Sequence, residues 1–208
     1  MLISAILVAV CGYILGSFPT GYLIGRVAGT DIRTQGSGNI GATNVLRTIG
    51  RKHGYTVFLV DALKGFAAVW SGLWLARHLE PNAAVADWLG VLAALTSVLG
   101  HAFPIWLRFR GGKGVATSAG AMLGLAPVAT LLALLIWAAV FEATRYVSVA
   151  SLAAVVALPV LIGVFLKLHL AGTIPIFALA VLLAVIVCWR HRSNIVRLTR
   201  GKEQRFTR

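Results

Sequence analysis

The sequence predicts an all-α integral membrane protein of about seven transmembrane helices, two of them short, with the N-terminus outside and the C-terminus in the cytoplasm. Three observations carry this. Hydrophobic residues make up 59% of the 208 and charged residues only 12%, whereas soluble domains are roughly half apolar and a quarter charged. The mean hydropathy is +0.87. The cations gather in a few polar links between long apolar runs, the pattern of a chain whose main solvent is lipid.

The elements follow in order. Apolar runs cover 2–24, 56–76, 88–107, 115–141, 149–166 and 173–189, each near the ~20 residues that a spanning helix needs. The first is read as a span and not as a cleaved leader or lipoprotein signal: it lacks a basic start, and the bulky Val10 precedes Cys11. Residues 26–55 carry five Lys/Arg, 101–114 three, and 190–208 seven, with Arg145 alone, so that sixteen of nineteen cations fall in these links. The links at 77–87 and 167–172 carry one cation each. The positive-inside rule puts the basic group in the cytoplasm. With both 101–114 and Arg145 inside, 115–141 must cross an even number of times. Its 27 residues are too few for two full crossings, about 40 Å of helix. Two short helices that turn back near residues 124–127 are therefore expected; a single tilted span, which would put Arg145 outside, is the rival. No repeat, low-complexity tract or soluble domain interrupts the chain, so residues 1–208 are read as one membrane-embedded domain.

The formal charge of +13 is partly topogenic, and its remainder suits anionic partners such as headgroups or phosphorylated substrates; nucleic acid is not expected as a partner. Cys11 and Cys188 lie far apart in apolar runs, and no CxxC or Cys/His cluster exists, so neither zinc nor a disulfide framework is suggested.

Three polar clusters fall on the cytoplasmic side. In GSGNIGATNVLR, Gly36, Gly38, Asn39, Thr43 and Asn44 accompany Ser37 and Arg47. Small residues let backbone amides approach an anion, and Arg47 can fork onto two phosphate oxygens; the plain alternative is a flexible loop with a topogenic arginine. In FRGGKGVAT, Gly111, Gly112 and Gly114 surround Lys113. The spacing is not that of a Walker A loop, yet bared amides, a point charge and a helix starting at Val115 would suit phosphate. A tight turn alone needs neither the third glycine nor the lysine. In RHRSNIVRLTRGKE, His191, Asn194 and Arg197 recur every three residues, one face of a helix leaving the membrane, whereas Arg200, Lys202, Arg205 and Arg208 read as a basic tail.

Six scattered acids offer no cage for a metal, so neither metal nor cofactor is expected. There is no GxSxG elbow and no HxxxxD pair, since Phe58, Ala83, Trp106, Ile174 and Val196 stand five places after the five histidines. Asp61 and Lys64, in the first turns of an apolar run, are read as a local pair or a contact to the polar loop, ahead of substrate binding.

Taken together, SGNIGATNVLR, GHAFPIWLRFRGGKGVAT and RHRSNIVRLTRGKE resemble, in order and spacing, the bacterial acyl-phosphate-dependent glycerol-3-phosphate acyltransferases. DALKG at 61–65 and RYVSVAS at 145–151 extend the likeness over nearly the whole chain. The resemblance implies a seven-helix inner-membrane enzyme with a cytoplasmic active site. It implies transfer of a fatty acyl group from acyl phosphate to the 1-hydroxyl of glycerol 3-phosphate, giving lysophosphatidic acid. It implicates Ser37 and Arg47 in glycerol 3-phosphate binding and catalysis, Gly111, Gly112, Lys113 and Gly114 in holding acyl phosphate, and His191 and Asn194 at the active site. Ser151 is a further polar contact, and Glu203 serves structural integrity. Direct attack on acyl phosphate needs neither metal nor covalent intermediate; the base is either His191 or a substrate phosphate. Acyl-chain preference and oligomeric state, including a monomer, stay open. The rival classes are an anion transporter, which usually shows inverted repeats, and a non-catalytic lipid-binding scaffold.

Overall fold

The computed structural model describes residues 1–79 and 82–206; Glu80 and Arg208 lie outside the described residues. Among these, all regular structure is helical, and the chain divides into two compact units, Met1–Gly124 and Leu125–Arg208.

In the first unit, α1 (Leu2–Ser17), α4 (Arg51–Leu79) and α5 (Ala83–Ala102) pack against one another pairwise. The first apolar run is not one continuous helix. Pro19 cannot donate a backbone hydrogen bond and pushes the residue before it out of the α region. Phe18 accordingly sits at φ −58°, ψ 116°, and α2 (Thr20–Val27) restarts the helix. A broken helix at membrane depth needs its freed backbone satisfied. Here the Lys64 ammonium donates to the Phe18 carbonyl at 2.9 Å. Two short helices follow: α3 (Ala42–Thr48), which packs on α4, and α6 (Val115–Leu125). The contact of α6 with α4 is made by small residues. A side chain at Gly65 would strike the Thr117 carbonyl, and one at Gly120 the Ala62 carbonyl, so the two backbones meet directly, as membrane helices do where small residues line the contact.

In the second unit, α8 (Val147–Lys167) packs on both α7 (Pro127–Thr144) and α9 (Ile174–Arg190). Pro127 starts α7, a position where the missing N–H costs nothing, and Arg145 ends it in the left-handed conformation at φ 64°. At His191 the chain bends by 57° into α10 (Arg192–Thr199).

Among the described residues, five helical stretches are long and apolar enough to span a membrane, or six if α9 and α10 count as one bent span. Two expectations need correction. The break in the 115–141 run falls as expected, at Ala126, and α6 is short, with 11 residues. However, α7 has 18 residues, about 27 Å at 1.5 Å per residue, and is of spanning length: the polar Glu142 and Thr144 continue the helix until Arg145 stops it. Nor does the last cluster leave the membrane on a continuous helix, because the bend at His191 redirects it.

Candidate active site

The first polar loop is built around one amide side chain. Asn44 is buried, and its Oδ1 accepts the Ser37 backbone N–H at 2.9 Å. Its Nδ2 lies within donating distance of the carbonyls of Ile32 at 3.2 Å, Gln35 at 3.0 Å and Asn39 at 2.9 Å. Asn39 in turn accepts the Gly41 amide at 2.8 Å. Gly36 and Gly38 adopt positive φ, 55° and 69°, and a side chain on Gly36 would run into Asn44. These two asparagines, expected among the substrate contacts, commit the atoms named here to shaping the loop. Ser37 is left exposed at its tip, with Thr43 and Arg47 half-buried on α3.

The glycine turn has a similar logic, and it departs from the expectation of bared amides. The Gly111 amide donates to the Ala102 carbonyl and the Gly112 amide to the His101 carbonyl, each at 3.1 Å. Both cap the end of α5, whose last carbonyls have no partner within the helix. Gly111 is glycine because a Cβ would hit the His101 and Ala102 carbonyls, Gly112 because it would hit the His101 ring, and Gly114 because its φ is +85°. Arg108 and Phe109, both left-handed at φ 52° and 61°, carry the chain into this turn, a conformation that costs energy for any side chain. Lys113 and the first turn of α6 follow directly, and there Ser118 N–H bonds the Gly114 carbonyl at 2.7 Å.

These two loops share one small core. Leu107, just before the glycine turn, packs in the same buried cluster as Ile32, Ile40 and Val45 of the first loop and Val57 of α4. The same unit holds a buried polar group that the sequence only half discloses. Asp61 Oδ1 accepts from Lys64 Nζ at 2.8 Å and from Thr20 Oγ1 at 3.0 Å. His101 Nδ1 stands 3.8 Å away. The Asp61–Lys64 pairing is legible as a three-residue helical spacing; Thr20 and His101 reach it from other helices, and no spacing announces them.

In the second unit, Glu203 gathers the third cluster. Its Oε1 accepts from Asn194 Nδ2 at 2.6 Å and Ser148 Oγ at 2.9 Å, and its Oε2 from Arg197 Nε at 2.7 Å. Burial alone would raise the Glu203 pKa, but these three donors outweigh it and hold the carboxyl below its ordinary range. Asn194 keeps its Oδ1 buried without a partner, an acceptor that costs free energy unless a donor comes to it. His191 is 2% exposed, and its Nδ1 lies 2.8 Å from the Val187 carbonyl. A carbonyl only accepts, so the hydrogen sits on Nδ1 and the accepting lone pair of the neutral ring is on Nε2. Ser151 is buried and accepts from Trp137 Nε1 at 3.2 Å. The tail is not loose: Phe206 N–H donates to the Arg145 carbonyl at 2.9 Å, and Arg205 lies over the Tyr146 ring at 5.2 Å. Arg205, read from sequence as part of a basic tail, thus has a defined partner. His191, Asn194 and Arg197 belong to this unit; Ser37, Arg47 and Lys113 belong to the first.

Comparison with known proteins gives these residues a context. The family model described as glycerol-3-phosphate acyltransferase matches residues 6–201. Proteins of that name from Synechococcus sp. (strain CC9902) and Geotalea daltonii are 44% and 43% identical, covering 99% of this chain and 97% and 99% of theirs. The crystal structure of PlsY (YgiH), an integral membrane glycerol 3-phosphate acyltransferase, in its glycerol 3-phosphate form superposes with a TM-score of 0.84 at 38% identity, covering 98% of this chain and 96% of that one. Its lysophosphatidic acid form gives 0.82. The chain belongs to the glycerol-3-phosphate acyltransferase family of membrane-embedded enzymes.

Proposed function

We propose that the protein transfers a fatty acyl group from acyl phosphate to the 1-hydroxyl of glycerol 3-phosphate, on the cytoplasmic side of a bacterial inner membrane, with residues 1–208 acting as one catalytic domain. The observation that carries this reading is the shared core of Ile32, Ile40, Val45 and Leu107, which sets two cationic, glycine-shaped loops side by side for two phosphorylated reactants.

Lys113 and the first amides of α6 receive the acyl phosphate, and the positive end of the helix favours its charge. Arg47 and Ser37 hold the phosphate of the acceptor. Asn194 Oδ1, buried without a partner, accepts a hydrogen bond from a substrate hydroxyl. Thr43, Ser151 and Arg197 add polar contacts, and Gly36 and Gly38 keep the loop backbone close to its ligand. The hydroxyl oxygen attacks the acyl carbonyl; a C–O ester bond forms, and the bond between acyl carbon and phosphate oxygen breaks. Inorganic phosphate leaves with the electron pair. The hydroxyl proton passes to His191 Nε2 or to a phosphate oxygen of a substrate. Positioning and fixed donors supply the acceleration, with no acylated side chain and no metal.

The test uses purified protein in detergent with palmitoyl phosphate and labelled glycerol 3-phosphate in the presence of EDTA. Lysophosphatidic acid is the expected product. No product, or product only from acyl-CoA, overturns the reading. Lys113→Ala and Arg47→Ala should each lower kcat/KM about ten- to a hundredfold, the effect of losing a hydrogen bond to a charged group worth ~1.5–3 kcal/mol.

A further inference from the structure

The glycine turn is braced by a buried side chain that the reaction as proposed does not use. His101, in the last turn of α5, is 5% exposed. Its carbonyl accepts the Gly112 amide at 3.1 Å. Its imidazole covers the same glycine so closely that a Cβ there would fall on Nε2, Cε1 and Cδ2. On the ring's far side, Nδ1 stands 3.8 Å from Asp61 Oδ1, too long for a hydrogen bond and within reach of an ion pair when the ring is protonated. Asp61, 2% exposed, is itself fixed by Lys64 at 2.8 Å and Thr20 at 3.0 Å. An ionisable residue inside a membrane protein is costly and marks function more often than not. The Asp61–Lys64 pair would be complete without the histidine. What the ring adds is a rigid wall against the residue that immediately precedes Lys113.

We propose that His101 is a positioning residue for the acyl donor: backed by Asp61, its imidazole sets the path of residues 111–114 and so the aim of the Lys113 ammonium and of the first amides of α6. This rests on the reading of that turn as the acyl-phosphate site. The Nε2 corner of the ring leaves no room for a Cβ, which accounts for glycine at 112 and ties the two residues together as a pair.

The experiment measures kcat and KM for palmitoyl phosphate and for glycerol 3-phosphate in His101→Gln, Gly112→Ala, the double variant His101→Ala/Gly112→Ala, and Lys113→Ala. His101→Gln should raise the KM for palmitoyl phosphate about tenfold while moving that for glycerol 3-phosphate less than about twofold, since a displaced donor site weakens one substrate only. Gly112→Ala should fall by about a hundredfold in kcat/KM, and removing the ring in the double variant should recover about tenfold of this, because contacting residues couple. Equal effects of His101→Gln on both substrates, or no effect on either, overturn the proposal. So does a double variant no better than Gly112→Ala, whether compared by activity or, if either is inactive, by Tm. If Lys113→Ala leaves the palmitoyl phosphate KM unchanged, the reading of the turn as a donor site has failed first; if Lys113→Ala raises it and the His101 variants do not, only the positioning role is lost.

Discussion

Asn44 shows how a residue can be essential to a site while its own side chain faces inward. Its amide closes a loop that has no regular structure over residues 35–41. Asn44→Ala leaves one amide and several carbonyls without their partner. A loss of about 2–4 kcal/mol is expected from several such bonds in a buried place, read as a lower Tm in detergent. Asp should rescue only in part, since it can accept from Ser37 but cannot donate to the three carbonyls. A fully active, equally stable Asn44→Ala would show that the loop is shaped by its glycines alone. His191 presents the opposite case. Its Val187 carbonyl partner is supplied by the helix backbone one turn earlier, so no sequence signal marks the group that orients it.

At the scale of elements, the decisive features are breaks and their compensation. Pro19 opens α1–α2, and the Phe18 carbonyl, which accepts the Thr20 N–H at 3.0 Å, is also met by Lys64 from α4. Lys64→Met removes that donor and also leaves Asp61 buried without its cation. A cost of about 3–5 kcal/mol is expected, as for other broken buried pairs. The double change Asp61→Asn/Lys64→Met should cost less than the single one; if it costs as much or more, the penalty does not come from the stranded carboxylate. The C-terminal segment beyond α10 is an element of the same kind, secured by one carboxylate. The folded pKa of Glu203 lies below its ordinary 4.5. Its contribution is therefore fully present above that value and fades as pH falls through the folded one. As pH falls below 4.5, the wild type should lose Tm more steeply than Glu203→Gln. Parallel curves would mean that the segment is held by Phe206 and Arg205 instead.

For the whole molecule, the open quantity is its placement in the bilayer. Sidedness is proposed as N-terminus outside and basic links inside. After replacement of Cys11 and Cys188 by Ser, single cysteines at Lys52 and Lys202 should react with an impermeant maleimide only in permeabilised cells, and one at His169 should react in intact cells. Reaction of Lys52→Cys and Lys202→Cys on opposite sides would overturn the proposed sidedness.

The sequence by itself determined the class of solvent, the number of apolar runs to within one or two, the sites of the three polar clusters, and the start of α6 at Val115. Those properties are local: hydropathy, charge and glycine act over a few neighbouring residues, and a short window contains them. Only the tertiary structure decided what each polar group touches. That Gly111 and Gly112 cap α5, that Asn44 staples its own loop, that Thr20 and His101 converge on Asp61, and that Glu203 collects Ser148, Asn194 and Arg197 are contacts that no helical or strand spacing announces. A buried hydrogen bond depends on where packing brings its two ends. In this protein packing is set by small residues such as Gly65 and Gly120, whose effect is a distance between helices and leaves no mark in periodicity.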